Sequence, residues 1–146
     1  MLSLMVRELR REEFPLAAAA LLELRPHLGD VATAAARASA QHAAGYRLLA
    51  AFVEPEPDAV AVAGFRESET LAWGRTLYVD DLICRPAFRR QGHSRRLLER
   101  VAALARELGC DGVHLDSGPQ AERAPAHALY FASGMRISAY HFSRDF

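Results

Sequence analysis

Apolar positions along the chain change their period several times, and each change marks an element. Residues 2–9 alternate loosely between apolar and polar, which predicts a first strand. Residues 12–24 place Phe14, Ala17, Ala18, Leu21 and Leu22 on one side of a helix that Pro26 closes. Asp30 suits the N-cap of a second, alanine-rich helix reaching about residue 44, with Gly45 just past its end. Residues 46–53 and 59–71 predict two strands, separated by Glu54-Pro55-Glu56-Pro57-Asp58, where two prolines exclude a helix. Trp73-Gly74-Arg75 marks a hairpin into a central strand, residues 76–84, so three consecutive strands make an antiparallel meander.

After Cys84 the period changes again. Pro86 ends the strand by removing a ladder donor, and Gly92 lets the backbone turn where a Cβ would obstruct it. From Ser94 onward Leu97, Val101, Leu104, Ala105 and Leu108 recur at helical spacing along one face. Residues 112–116 form a fifth predicted strand, and the strand–helix–strand crossover makes it parallel to the central one. A helix over about 123–133 carries Ala126, Leu129 and Tyr130 and closes at Gly134, and residues 137–142 predict a last, antiparallel strand. The expected fold is an α/β mixed sheet, an antiparallel meander followed by a parallel crossover, with helices on both faces.

Composition narrows the class. The 146 residues suit one domain, 1–146, able to bury about 70% of the unfolded surface. A hydrophobic share of 51% with 25% charged residues is that of a soluble globule. The apolar start meets Arg7, Glu8, Arg10, Arg11, Glu12 and Glu13 at once, so neither a leader nor a membrane span is expected, and the expected compartment is the cytoplasm. Two cysteines, Cys84 and Cys110, make no disulfide framework. Zero net charge argues against nucleic acid as a partner.

The chemistry concentrates in the turn between the central strand and the helix after it. The first donors of a helix lack internal partners and sit at the positive end of its dipole. Around them stand Arg89, Arg90, Arg95 and Arg96, so a phosphate-bearing ligand is expected there. Two phosphate signatures are absent: the P-loop, since the chain has no lysine, and Gly-x-Gly-x-x-Gly. Instead Arg89-Arg90-Gln91-Gly92-His93-Ser94 resembles motif A of the GNAT superfamily of acyl-CoA-dependent N-acyltransferases, Gln/Arg-x-x-Gly-x-Gly/Ala. Ser94 departs from the usual Gly or Ala but is small. Downstream, Ala126-His127-Ala128-Leu129-Tyr130-Phe131-Ala132-Ser133-Gly134-Met135 resembles the same family's motif B. The resemblance runs from about residue 46 to the end.

That resemblance implies acetyl-CoA as co-substrate, its pyrophosphate held by Arg89, Arg90, Gln91, Gly92, His93, Ser94 and Arg95. It implies pantetheine bonding to the backbone at Leu82 and Cys84, where an N–H beside the thioester carbonyl would stabilise an oxyanion. Tyr130 matches the motif B tyrosine that protonates the departing thiolate; the competing reading is a core tyrosine with its hydroxyl satisfied. By the strand period of two, Tyr78, Asp80 and Leu82 share one face, and Tyr78 and Asp80 are joint candidates for the base, though a bulge would exchange Asp80 for Asp81. Either aspartate has an equally good structural reading, capping a loop or pairing with Arg85. Cys84 has no adjacent activating base, so direct attack is expected rather than an acyl-enzyme. Arg123 stands where many family members carry Asn. Cys110, His114 and Asp116 lack the spacing of a zinc site, and no metal is expected; Ser117 lacks the Gly-x-Ser-x-Gly elbow of a hydrolase.

The implied function is transfer of acetyl from acetyl-CoA to a primary amine in a ternary complex. The alternative is a non-catalytic acyl-CoA sensor or partner subunit of the same fold. Glu12, Glu13, Glu23, Asp30 and His42 on the first helices are compatible with a cationic acceptor without specifying one. Acyl length and a homodimeric state stay open at this stage.

Overall fold

The computed structural model describes residues 4–146. Residues 2 and 3 of the expected first strand lie outside the described residues; the rest of it is β1, Leu4–Glu8. The chain divides into two compact units, a larger one ending at His114 and a smaller one, Leu115–Phe146.

In the larger unit, β1 is followed by a 3-10 turn, Arg11–Ala17, and only then by α1, Ala18–Leu24. The sequence predicted one helix over 12–24. Pro15 has no N–H to donate, which explains why the first half winds as 3-10 instead. Helix α2, Val31–His42, begins as expected at Asp30, whose carboxylate accepts the Thr33 N–H at 2.7 Å. Strands β2, Arg47–Val53, β3, Ala61–Thr70, and β4, Gly74–Cys84, form the antiparallel meander, and β5, Gly112–Leu115, completes a mixed five-stranded sheet in the order β1-β2-β3-β4-β5. Helix α3, His93–Glu107, connects β4 to β5.

Alternation along β2 and β3 divides the core between two faces. Leu48, Ala50 and Val62 join Phe14, Ala17, Leu21 and Ala38 under α1 and α2. The intervening positions, Leu49, Ala51, Ala63 and Phe65, are as deeply buried on the other face, where α3 packs across β2, β3 and β4 with Leu97, Leu98, Val101 and Ala105. Burying each Leu or Val contributes about 1.5–3 kcal/mol. That anchorage fixes where α3 starts.

The smaller unit holds a 3-10 turn, Ala121–Arg123, and α4, Ala124–Ala132, with Gly134 left-handed just beyond it. The expected strand over 137–142 is not formed: residues 135–146 have no regular structure, and Ile137, Tyr140 and Phe142 are exposed. β-branched and aromatic residue types are a local signal, whereas a strand needs a ladder partner, and none pairs with this segment among the described residues. No helix among the described residues is long and apolar enough to cross a membrane.

Two tests follow from this packing. A Cβ at Gly64 would run into the Tyr46 hydroxyl, so Gly64→Ala should lower stability by about 1–3 kcal/mol, read as a fall in Tm; an unchanged Tm would mean that Tyr46 swings aside freely. Glu13 accepts the Arg10 N–H and pairs with Arg7, which lowers its pKa from 4.5 to about 2. A depressed carboxylate stabilises the fold above its unfolded value and loses that contribution as pH falls through the folded one. Wild type and Glu13→Gln should therefore differ in Tm above about pH 4.5 and converge near pH 2.

Candidate functional site

At the end of β4 the chain makes a 3-10 turn, Pro86–Phe88, and then passes through two left-handed residues, Arg90 at φ 65° and Gly92 at φ 82°. A left-handed conformation costs a non-glycine residue about 1–2 kcal/mol, so holding Arg90 there stores strain in the turn. The first backbone bond into α3 is from Arg96 N–H to the Gly92 carbonyl, at 3.0 Å; among the described residues none accepts from the N–H groups of residues 90–95. These donors, the helix dipole and the exposed Arg90, Arg95 and Arg96 concentrate positive potential at the turn, and the space above the Gly92 Cα is open.

The side chains of this turn divide their work. Arg89 Nε donates to the Cys84 carbonyl at 3.1 Å, tying the turn to the strand end. Arg95 forms an exposed pair with Glu99. His93 is only 5% exposed; its Nε2 lies 3.3 Å from Gln91 Oε1 and its Nδ1 has no partner. Burial, with Arg96 adding to it, pushes the His93 pKa down, which holds the ring neutral. His93 thus offers the cradle its backbone N–H while its ring fills core.

On β4 a bulge changes the face assignment made from strict alternation. Asp81 pairs with Gly64 and Val79 with Phe65, which leaves Asp80 as the extra residue. Tyr78, opposite Arg66, and Asp81, opposite Gly64, consequently share the face under α1 and α2, and Asp80 turns to Arg66 on that face as well. Leu82, expected on the face of Tyr78 and Asp80, lies opposite Ala63 on the other one. Both carboxylates are occupied. Asp80 takes the Arg66 guanidinium, which also reaches Gln41 Oε1 at 3.0 Å. Asp81 accepts the Tyr46 hydroxyl at 2.7 Å and Arg25 Nε at 3.0 Å, and burial with the adjacent Asp81 charge drives the Tyr46 pKa up. Sequence reasoning missed Arg25, Gln41, Tyr46 and Arg66, which come from four separate stretches of the chain.

Cys84 is buried, its Sγ 3.6 Å from the Arg85 carbonyl; burial raises its pKa, partly offset by Arg89 and Arg85. That is the environment of an inert thiol rather than a nucleophile. The other residues weighed as metal ligands are engaged elsewhere, His114 against the Trp73 ring and Asp116 with His141 at 2.7 Å. No cluster of three His, Cys, Asp or Glu suited to a metal occurs among the described residues.

Tyr130 belongs to the smaller unit. Its hydroxyl lies 3.5 Å from Arg123 Nη2, whose Nε reaches Ser117 Oγ at 3.3 Å, and the same Oγ is 2.9 Å from His127 Nε2. Burial raises the Tyr130 pKa and Arg123 acts against that rise.

A meander, a crossover helix and an acceptor-free N–H turn between them are the frame of a nucleotide-dependent acyltransferase, and the comparisons with known proteins agree. Residues 4–135 match the acetyltransferase (GNAT) family, and the chain belongs to it. It is thereby an acetyl-CoA-dependent N-acetyltransferase. No curated protein sequence matches the chain. Among similar solved structures, an aminoglycoside N-acetyltransferase in complex with CoA has a TM-score of 0.82 at 15% identity, covering 99% of this chain and 96% of that one. A ribosomal-protein-alanine N-acetyltransferase from Brucella melitensis has a TM-score of 0.81 at 16% identity, covering 99% and 100%. An aminoglycoside acetyltransferase from an uncultured soil metagenomic sample has a TM-score of 0.78 at 24% identity, covering 99% of both chains. At these identities the likeness is one of fold.

The thiols provide a check on the direct-attack reading. A thiol-specific reagent at neutral pH should label Cys110 well before Cys84, read by intact-protein mass spectrometry. Incubation with acetyl-CoA alone should leave no acetyl adduct on Cys84; a stoichiometric adduct lost in Cys84→Ser would establish an acyl-enzyme instead.

Proposed function

We propose that this protein transfers an acetyl group from acetyl-CoA to a primary amine, the amine attacking directly within a ternary complex. The observation that carries the proposal is the acceptor-free row of N–H groups at residues 90–95, capped by the left-handed Gly92. It is a fit for the pyrophosphate of CoA, with Arg89, Arg90, Gln91, Gly92, His93, Ser94 and Arg95 forming the cradle. The family match runs across the boundary at residue 115, which supports reading 1–146 as one acetyltransferase domain.

When bound, the co-substrate supplies an acetyl thioester open to nucleophilic attack. The backbone at Leu82 and Cys84 holds the pantetheine in this reading, and an N–H there stabilises the oxyanion. Tyr130 donates its proton to the departing sulfur. Tyr78 and Asp80 remain the proposed residues for collecting the proton of the amine, Asp80 through water because Arg66 occupies its carboxylate. Glu13 and Asp30 are committed to capping the first helices, so of the acidic residues weighed for the acceptor the exposed Glu12 and Glu23 are the better placed. Similar structures bear the names of aminoglycoside and ribosomal-protein-alanine acetyltransferases, and aminoglycosides and an alanine amino group share only the amine. An amine acceptor is as far as the proposal goes.

Two variants test it. Gly92→Asp puts a carboxylate and an unfavourable left-handed side chain at the phosphate site; CoA affinity by calorimetry should fall roughly 10–100-fold with circular dichroism unchanged. Unchanged affinity would place the pyrophosphate elsewhere. Tyr130→Phe keeps the ring and removes the proton donor, so kcat should fall about 10²–10⁴-fold with little change in KM. Equal kcat would return Tyr130 to a packing role, with water protonating the leaving thiolate.

A further inference from the structure

Arg123 is half-buried and, unlike Arg25, Arg47, Arg66, Arg75 and Arg85, has no carboxylate within 4.0 Å among the described residues. Its partners are neutral oxygens. Nε reaches Ser117 Oγ at 3.3 Å and Nη2 lies 3.5 Å from the Tyr130 hydroxyl. At the latter distance the contact is one of charge with dipole rather than a strong hydrogen bond. Ser117 is held in turn: it accepts from Arg123 and can direct its own O–H to His127 Nε2, 2.9 Å away. The chain of donors runs in two consistent directions from one cation, and one branch ends on the residue read above as the acid.

Resting on that reading, we infer that Arg123 is a positioning residue: anchored by Ser117 and His127, it sets how readily Tyr130 gives its proton to the leaving thiolate. The reason is a mismatch. A phenol near 10 protonating a thiolate of a thiol near 8.5 is unfavourable by about thirtyfold in water. Burial makes the mismatch worse, because it raises the Tyr130 pKa, and Arg123 is the charged group that acts against it. His127, on the same face of α4 with its ring centroid 6.4 Å from that of Tyr130, is the other titratable group near the hydroxyl in this unit, while Asp116 is directed to His141. In the step itself the S–C bond breaks, the sulfur takes the Tyr130 proton to give free thiol, and the phenolate left behind is stabilised by Arg123 until it regains a proton. The asparagine common at this position in the family carries no charge and could not do this.

Two measurements separate the inference from the acid reading. The first is spectrophotometric titration, each protein being compared with its own Tyr130→Phe counterpart to isolate Tyr130 among four tyrosines. Tyr130 should ionise at higher pH in Arg123→Gln than in wild type, with a smaller displacement in the same direction in Ser117→Ala and near-wild-type behaviour in Arg123→Lys. Identical ionisation curves in all four would overturn the proposal, whatever the activity. The second is turnover. Arg123→Gln should lower kcat about tenfold, a fraction of the 10²–10⁴ of a general acid, and move the alkaline limb of the profile upward. It should have no further effect in a Tyr130→Phe background. A displaced titration with wild-type kcat in Tyr130→Phe would overturn the catalytic role of the pair, the acid reading being the part that failed.

Discussion

Burial of one face of α3 against β2, β3 and β4 is the interaction on which the rest of the larger unit depends. His93, Leu97, Leu98, Val101 and Ala105 are held in core, so the helix can neither slide nor fray at its start. A helix start anchored in this way leaves its first N–H groups without internal acceptors, and the strain at Arg90 is tolerated because the packing on either side of the turn over-determines it. Apolar contacts thus set the place at which the proposed anion would meet these donors. The arginines add charge to donors that the fold has already aligned.

The same economy governs the central strand. A single extra residue in β4 turns Asp80 and Asp81 together toward α1 and α2, where Arg66 and Arg25 meet them. Two adjacent carboxylates would repel each other if they stood alone; each is instead set against a guanidinium, and Tyr46 adds a hydroxyl to Asp81. The arrangement ties α1, α2, β2 and β3 to β4 through polar contacts at a position where the hydrophobic core ends. It also explains why Gly64 has to be a glycine, since the Tyr46 hydroxyl occupies the space a Cβ would need.

In the smaller unit the polar groups are arranged in the opposite sense. Arg123 is a cation set beside neutral oxygens, with no carboxylate within 4.0 Å among the described residues. A cation at a phenol is useful where negative charge appears only during a reaction, whereas the paired arginines of the larger unit stabilise charge that is always present. Both arrangements use one residue type, which supplies all 18 basic side chains of the chain.

By itself the sequence determined what is local. Helical spacing from Leu97 to Ala105, the Asp30 cap, the proline and glycine punctuation and the two short motifs were legible because each is decided by neighbours a few residues away. It also determined the meander of β2, β3 and β4 and the crossover to β5, while the place of β1 beside β2 was not read from it. Tertiary structure decided the rest. The bulge at Asp80 arises from pairing with β3 and overturned the placing of Leu82 on the face of Tyr78. The Arg25–Asp81 contact spans 56 positions and leaves no periodic trace in the chain. Residues 137–142 have β-branched and aromatic side chains suited to a strand yet stay unpaired among the described residues, because residue type is local while a ladder requires a second segment to supply its hydrogen bonds.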